Sequence, residues 1–156
     1  MNPGARSEYA PSQRLRRYAA FFEGLSPDAL ARLDEVLTED AHFRDPFNDV
    51  HGLPAIRRIF EHMYQATEAP TFRVLGMSET GDVGHLHWEM RFSLRRGAAR
   101  EWRIEGMSRV RFSDDGRVSE HVDFWDPVES LLARLPVVGA LFRLPVRLLR
   151  TPQPRM

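Results

Sequence analysis

The spacing of apolar positions changes character near the middle of the chain. From Ser12 onward Leu15, Tyr18, Phe22 and Leu25 recur at three- and four-residue steps, which predicts a helix with one apolar face, ended by Gly24. "SPDALARLDEVL" predicts a second helix, with Ser26 as N-cap, Pro27 at the first position, Asp28 in the first turn and Leu30, Leu33 and Leu37 as its buried stripe. "LPAIRRIFEHMYQ" predicts a third, with Ile56, Ile59, Phe60 and Met63 on one side. Beyond Pro70 the period becomes two. "TFRVLGMS" at 71–78 reads as a strand, and in 85–95 Leu86, Trp88, Met90, Phe92 and Leu94 alternate with His85, His87, Glu89, Arg91, Ser93 and Arg95. Residues 102–112 repeat the pattern with Trp102, Ile104, Val110 and Phe112 inward and Arg103, Glu105, Arg109 and Arg111 outward. "SDDG" at 113–116 marks a hairpin turn into a last strand, "RVSEHVDFWD". Helices followed by sequential strands predict an α+β domain, with helices packed on one face of an antiparallel sheet.

Three places interrupt this regularity. The inner face of 102–112 carries Gly106 and Ser108 opposite bulky residues, which suggests a hollow for a ligand; a bulge or a close helix approach at Gly106 is the other reading. The last strand is ambiguous by alternation. Val118, Glu120, Val122, Phe124 and Asp126 form one face and Ser119, His121, Asp123 and Trp125 the other. If the second faces inward, His121 and Asp123 project into the hollow as a proton-transfer pair. Third, "AHFRDPFNDVHG" at 41–52 gathers His42, Arg44, Asp45, Asp49 and His51 around two phenylalanines, and Asp45 is either a surface turn-former or a pocket carboxylate.

Composition narrows the chemistry. The 156 residues suit one domain, with 42% apolar and 28% charged, and 22 basic residues balance 22 acidic ones, so nucleic acid is not the expected partner. All the basic residues are Arg, which reads as coding bias. The absence of Cys excludes disulfides, thiolate metal sites and a cysteine nucleophile. The N-terminus has no signal-peptide-like apolar core, so a cytoplasmic protein is expected. His85 and His87 share a strand face that looks solvated, and His42, Asp45 and His51 look more like turn chemistry than a ligand set, so no metal is expected. No phosphate loop, nucleophile elbow or dinucleotide fingerprint occurs, and no cofactor is expected.

"YAAFFEG" on the first helix, "DAHFRDP" after the second, "GLPAIRRIF" opening the third and the ending "DDGRVSEHVDFWD" together resemble the nuclear-transport-factor-2-like superfamily, in its SnoaL-like and ketosteroid-isomerase-like branch. The resemblance spans about 12–127. It implies a cone-shaped curved sheet wrapped around the N-terminal helices, with a pocket at the wide end. It also implies Asp45 as general base, Tyr18 and Ser108 as oxygen donors, the acidic donor of the isomerases being absent, and Phe60 where a supporting tyrosine is common. In the SnoaL-like branch an Asp on the last strand is the acid/base, and Asp123 matches it, with His121, Asp123 and Trp125 turned inward. Phe22, Phe60, Trp88, Ser108 and Trp125 are then the substrate-contacting residues.

The expected organisation is a flexible tail at 1–11, the cone domain at 12–127 and an apolar, Arg-bearing extension at 128–156. From 127 on there are five Arg and one Glu, and Pro136 and Pro145 break the apolar runs. A lid burying Leu141, Phe142, Leu148 and Leu149 is favoured there over a dimer contact or a membrane-surface anchor. The expected function is cofactor-free acid/base isomerisation or cyclisation of a small apolar polycyclic or terpenoid-like carbonyl compound by a homodimer. A non-catalytic binding module of the same fold is the alternative.

Overall fold

A computed structural model describes residues 10–95 and 101–130, and the chain divides into two compact units, 1–125 and 126–156. The second unit contributes one short described helix, α3 (Pro127–Ser130), with Asp126 Oδ1 accepting from Val128 N. The residues expected to form the lid lie outside the described residues. Among the described residues no helix is long and apolar enough to cross a membrane.

In the first unit the helical period forms helices where the apolar stripes predict them. α1 (Gln13–Glu23) starts on Ser12, whose hydroxyl accepts from Leu15 N, and stops at Gly24. α2 (Leu53–Ala66) enters from Gly52 at φ 84°, a left-handed conformation that glycine adopts freely, and carries Pro at its start. Between them "DALARLDE" winds as a 3-10 helix, Asp28–Glu35, kinked at Arg32, with Ser26 capping Ala29 N. Leu37, expected on that helix, is instead the first residue of a strand.

The sheet has six strands in the order β2-β1-β6-β5-β4-β3, curved and unclosed. These are β1 (Leu37–Arg44), β2 (Asp49–His51), β3 (Thr67–Thr80), β4 (Val83–Leu94), β5 (Glu101–Phe112) and β6 (Val118–Phe124). Strands β3 to β6 form the antiparallel meander that the alternation predicts. The first two correct the wholly antiparallel expectation: β1 pairs with β6 in parallel, so the sheet is mixed. β1 escapes pattern reading because its register shifts between Leu37 and His42, leaving Glu39 and Asp40 exposed where alternation would bury one residue.

The core lies between the inner sheet face and the helices, with Leu15, Tyr18, Leu33, Leu37, Ile56 and Val110 fully or almost fully buried. Burial along β5 follows the predicted alternation without a break from Trp102 to Phe112. β6 obeys neither of its two candidate faces throughout. A register shift between Arg111 and Phe112 turns Val118 into the core and still directs His121 inward three residues later. Glu89, expected on a solvated face, is buried there because Arg91 and Arg103 lie over its carboxylate. Those contacts hold the acid below its ordinary pKa: the Arg91 hydrogen bond is the leading cause, and it outweighs the desolvation that opposes it.

Candidate active site

The inner side chains of the six strands, with the facing sides of α1, α2 and the β1–β2 turn, line a partly open cavity of about 500 Å³. Its wall is mostly aromatic and aliphatic: Phe22, Phe43, Phe60, Phe72, Trp88 and Trp125 supply rings, and Ile59, Met63, Val74, Leu86, Met90 and Ile104 fill between them. The polar side chains on that wall are Asp45, Asn48, Arg58, His62, Ser108, His121 and Asp123.

Gly106 does not itself open a hollow. Trp88 is its register partner, and the indole lies so close that a Cβ on Gly106 would stand 2.6 Å from Trp88 Cζ2. The missing side chain is the space the indole occupies. That position aims Trp88 Nε1 at Ser108 Oγ, 2.7 Å away. Ser108 is 2% exposed, and its hydroxyl donates to Asp123 Oδ1.

From Asp123 the polar chain runs inward. His121 Nε2 lies 2.7 Å from the same Oδ1, and His121 Nδ1 lies 2.7 Å from Tyr18 Oη. The directions follow from the group that can only accept. A carboxylate oxygen accepts, so Oδ1 takes the Nε2–H of His121, and in that tautomer Nδ1 accepts from the Tyr18 hydroxyl, which gives each hydrogen of the relay an acceptor. Tyr18 is 1% exposed; burial lifts its phenol well above its ordinary pKa, and the nearby Asp123 charge adds to the rise, so it stays a donor. The His121 ring is held by a stacked Phe43 at 4.8 Å and tilted Phe22 and Tyr18 rings at 5.8 and 5.9 Å. Both hydrogen bonds to Asp123 fall on Oδ1; among the described residues Oδ2 has none.

Asp45 has both roles that its sequence context suggests. Its Oδ1 accepts from Phe47 N at 2.7 Å and Asn48 N at 2.8 Å, and its backbone N–H donates to Asn48 O, which makes the β1–β2 turn. It also lines the cavity, with Asn48 Nδ2 donating to both carboxylate oxygens. Phe47, 62% exposed, packs edge-on against Trp125 at 5.4 Å and ties this turn to the end of β6.

Of the residues singled out in the sequence, Asp45, Asp123, His121, Phe22, Phe60, Trp88, Ser108 and Trp125 come together on one cavity wall. Tyr18 lies behind His121 and reaches the cavity only through that ring. Sequence reasoning missed Asn48, Arg58 and His62. Arg58 and His62 sit one turn apart on α2, next to the apolar stripe, and among the described residues neither makes a hydrogen bond or ion pair. Their spacing beside Ile59 and Met63 is the signal that could have found them. His87, expected on a solvated face, bonds to Glu105 at 2.8 Å.

Comparison with known proteins agrees with this architecture. A family model described as a SnoaL-like domain matches residues 18–121. No curated protein matches the sequence. Among solved structures, IdmH from Streptomyces antibioticus, a candidate polyketide cyclase, superimposes with a TM-score of 0.67 at 20% identity over 77% of this chain and 96% of its own. A hypothetical protein from Catenulispora acidiphila with a ketosteroid isomerase-like fold, solved with trimethylamine, gives 0.66 at 16% over 80% and 93%. An epoxide hydrolase from M. tuberculosis, of the LEH-like type, gives 0.62 at 15% over 87% and 94%. At these identities the likeness shows the fold.

Proposed function

This chain belongs to the SnoaL-like domain family, and from that premise we propose that it is a cofactor-free acid/base isomerase or cyclase acting on an apolar polycyclic or terpenoid-like carbonyl compound. The observation that carries the reading is the Asp123 carboxylate. One of its oxygens is fixed by Ser108 and His121 while the other is unbonded, on the wall of an otherwise apolar cavity. A base must be oriented yet keep a free lone pair, and a cavity of aromatic and aliphatic side chains suits a compact apolar skeleton.

In this reading Asp123 Oδ2 takes a proton from carbon next to the substrate carbonyl. The charge moves to the carbonyl oxygen, where Arg58 and His62 supply donors that nothing else among the described residues engages. Ser108 and Tyr18 act behind the base: the Ser108 proton is already given to Asp123, and the Tyr18 proton to His121. Trp88 keeps Ser108 donating in that direction. Asp45, with one oxygen committed to two backbone N–H groups, serves mainly to hold the turn and polarise the cavity mouth. A ligand-binding module without turnover is the second reading, favoured by the same internal use of the Ser108 and Tyr18 donors.

The two readings separate by proton exchange. The protein is incubated in deuterated water with 2-tetralone, a bicyclic ketone, and deuterium entry next to the carbonyl is followed by NMR. The enzyme reading expects accelerated exchange that falls about 10²–10⁴-fold in Asp123→Asn and far less in Asp45→Asn. Saturable binding of the ketone without any acceleration would leave the binding module; full exchange activity in Asp123→Asn would remove the base from Asp123.

A further inference from the structure

We infer that the β1–β2 hairpin carries a binding site for one divalent transition-metal ion of the zinc class, built by His42, Asp49 and His51. One ligand atom from each lies within 4.8 Å of the others. The hairpin creates this convergence. His42 and His51 are register partners across the two strands, and Asp49 is two residues before His51, on the same side of β2. His42 Nε2 is 2.7 Å from Asp49 Oδ1, and the two imidazoles stack 4.3 Å apart at 7°. Asp45 is not a member of this cluster, although it lies in the same loop.

The donor set selects the ion. Two imidazoles and one carboxylate suit Zn²⁺ with water in the fourth position. Calcium and magnesium prefer oxygen-rich shells, of which this cluster offers one carboxylate, and it has no thiolate or thioether for Cu(I). In the stacked arrangement the ring planes are parallel, so their lone pairs do not yet meet at one point. Chelation requires one ring to rotate about its Cβ–Cγ bond and the His42–Asp49 hydrogen bond to give way, with His42 as the Nδ1–H tautomer so that Nε2 offers its lone pair. The His42 side chain is 28% exposed and His51 is exposed. Arg44, the register partner of Asp49, opposes a cation there and sets the affinity below that of an enclosed site. The ion would pin β2, an edge strand of three residues, to β1 and so brace the turn that brings Asp45 and Asn48 to the cavity.

The test is calorimetric titration of the full chain with Zn²⁺, with Co²⁺ as a spectroscopic substitute whose visible absorption reports a tetrahedral nitrogen/oxygen shell. The expected result is one saturable ion per chain, with a raised Tm that chelator reverses. Loss of an outer-shell partner already costs about 10–100-fold in affinity, so His42→Ala, His51→Ala and the isosteric Asp49→Asn should each weaken binding at least about tenfold. His87→Ala, a surface histidine elsewhere on the sheet, should leave it unchanged. Non-saturating uptake by the native chain, or native affinity in a folded His42→Ala/His51→Ala protein, would overturn the site.

Discussion

Substituting Gly106 by Ala adds one methyl group to the inner face of β5 and tests the packing that aims the base. The backbone there is ordinary strand, so the substitution brings no conformational strain, and it removes freedom from the unfolded chain, a gain of about 0.4–1 kcal/mol. Against this, the new Cβ would lie 2.6 and 2.7 Å from Trp88 Cζ2 and Cη2 and 3.1 Å from Phe124 O. Overpacking of this kind costs about 1–3 kcal/mol, and displacing the indole also breaks the Trp88–Ser108 hydrogen bond, another 0.5–1.5 kcal/mol or so. The loss wins, by about 0.5–4 kcal/mol net, or a fall in Tm of about 1–16 °C for a chain of this size. The assay is a double-mutant cycle by calorimetry with Trp88→Phe, whose smaller ring lacks the clashing atoms. In that background Gly106→Ala should be neutral or slightly stabilising, so the two changes couple by at least about 1 kcal/mol. Additive losses, or an unchanged Tm in Gly106→Ala alone, would refute the assignment of Gly106 as the seat of the indole.

Tyr18→Phe leaves His121 Nδ1 without its donor in a buried setting, and should cost about 1–3 kcal/mol in urea denaturation while shifting the His121 ring resonances in nitrogen NMR. Glu79, 6% exposed, accepts from Ser12 N and Arg14 and so ties the start of α1 to β3; burial works against its charge, but these bonds outweigh it and hold its pKa below the ordinary 4.5. Its contribution is therefore present above pH 4.5 and lost as pH falls through the lowered folded value, so the penalty of Glu79→Gln in thermal melts should be full at neutral pH and shrink in acid. Asp45→Ala should destabilise by about 0.5–1.5 kcal/mol through loss of the bonds to the Phe47 and Asn48 N–H groups, which lie where water can partly replace them, whereas Asp45→Asn, which still accepts with Oδ1, should lose less than half of that.

The meander was legible because each of its strands has a simple inside and outside, as in the unbroken alternation of β5. Helices α1 and α2 were legible from their stripes and from Ser12, Gly24 and the Pro-bearing start of α2. β1 and β2 were not. The pairing of β1 with β2 on one side and β6 on the other is decided by hydrogen bonds that no local pattern encodes, and β1 holds only Leu37, Ala41 and Phe43 as buried residues. In the site, His121 and Asp123 could be proposed as a pair, but the bulge that turns both inward is visible only in the ladder. Small residues at 106 and 108 correctly marked unusual space. Which of two occupants fills it, ligand or indole, is a packing result that no local pattern encodes.

The parallel pairing of β1 with β6 has a bearing on how the protein is made. His42 and Glu120 are ladder partners, about 80 residues apart in sequence, and such contacts raise contact order and slow folding because the loop must close before the pairing repays it. On the ribosome β1 emerges early, and among the described residues the strand partner then available is the three-residue β2. Its other edge stays open until β6 has left the exit tunnel. The cavity therefore has no complete wall in any nascent fragment that ends before Trp125, and during that interval the β6 of another copy can pair with β1 in place of its own. For this chain, slow translation between β2 and β6 should favour strand-exchanged assemblies over pairing within one chain, independently of how stable the finished domain is.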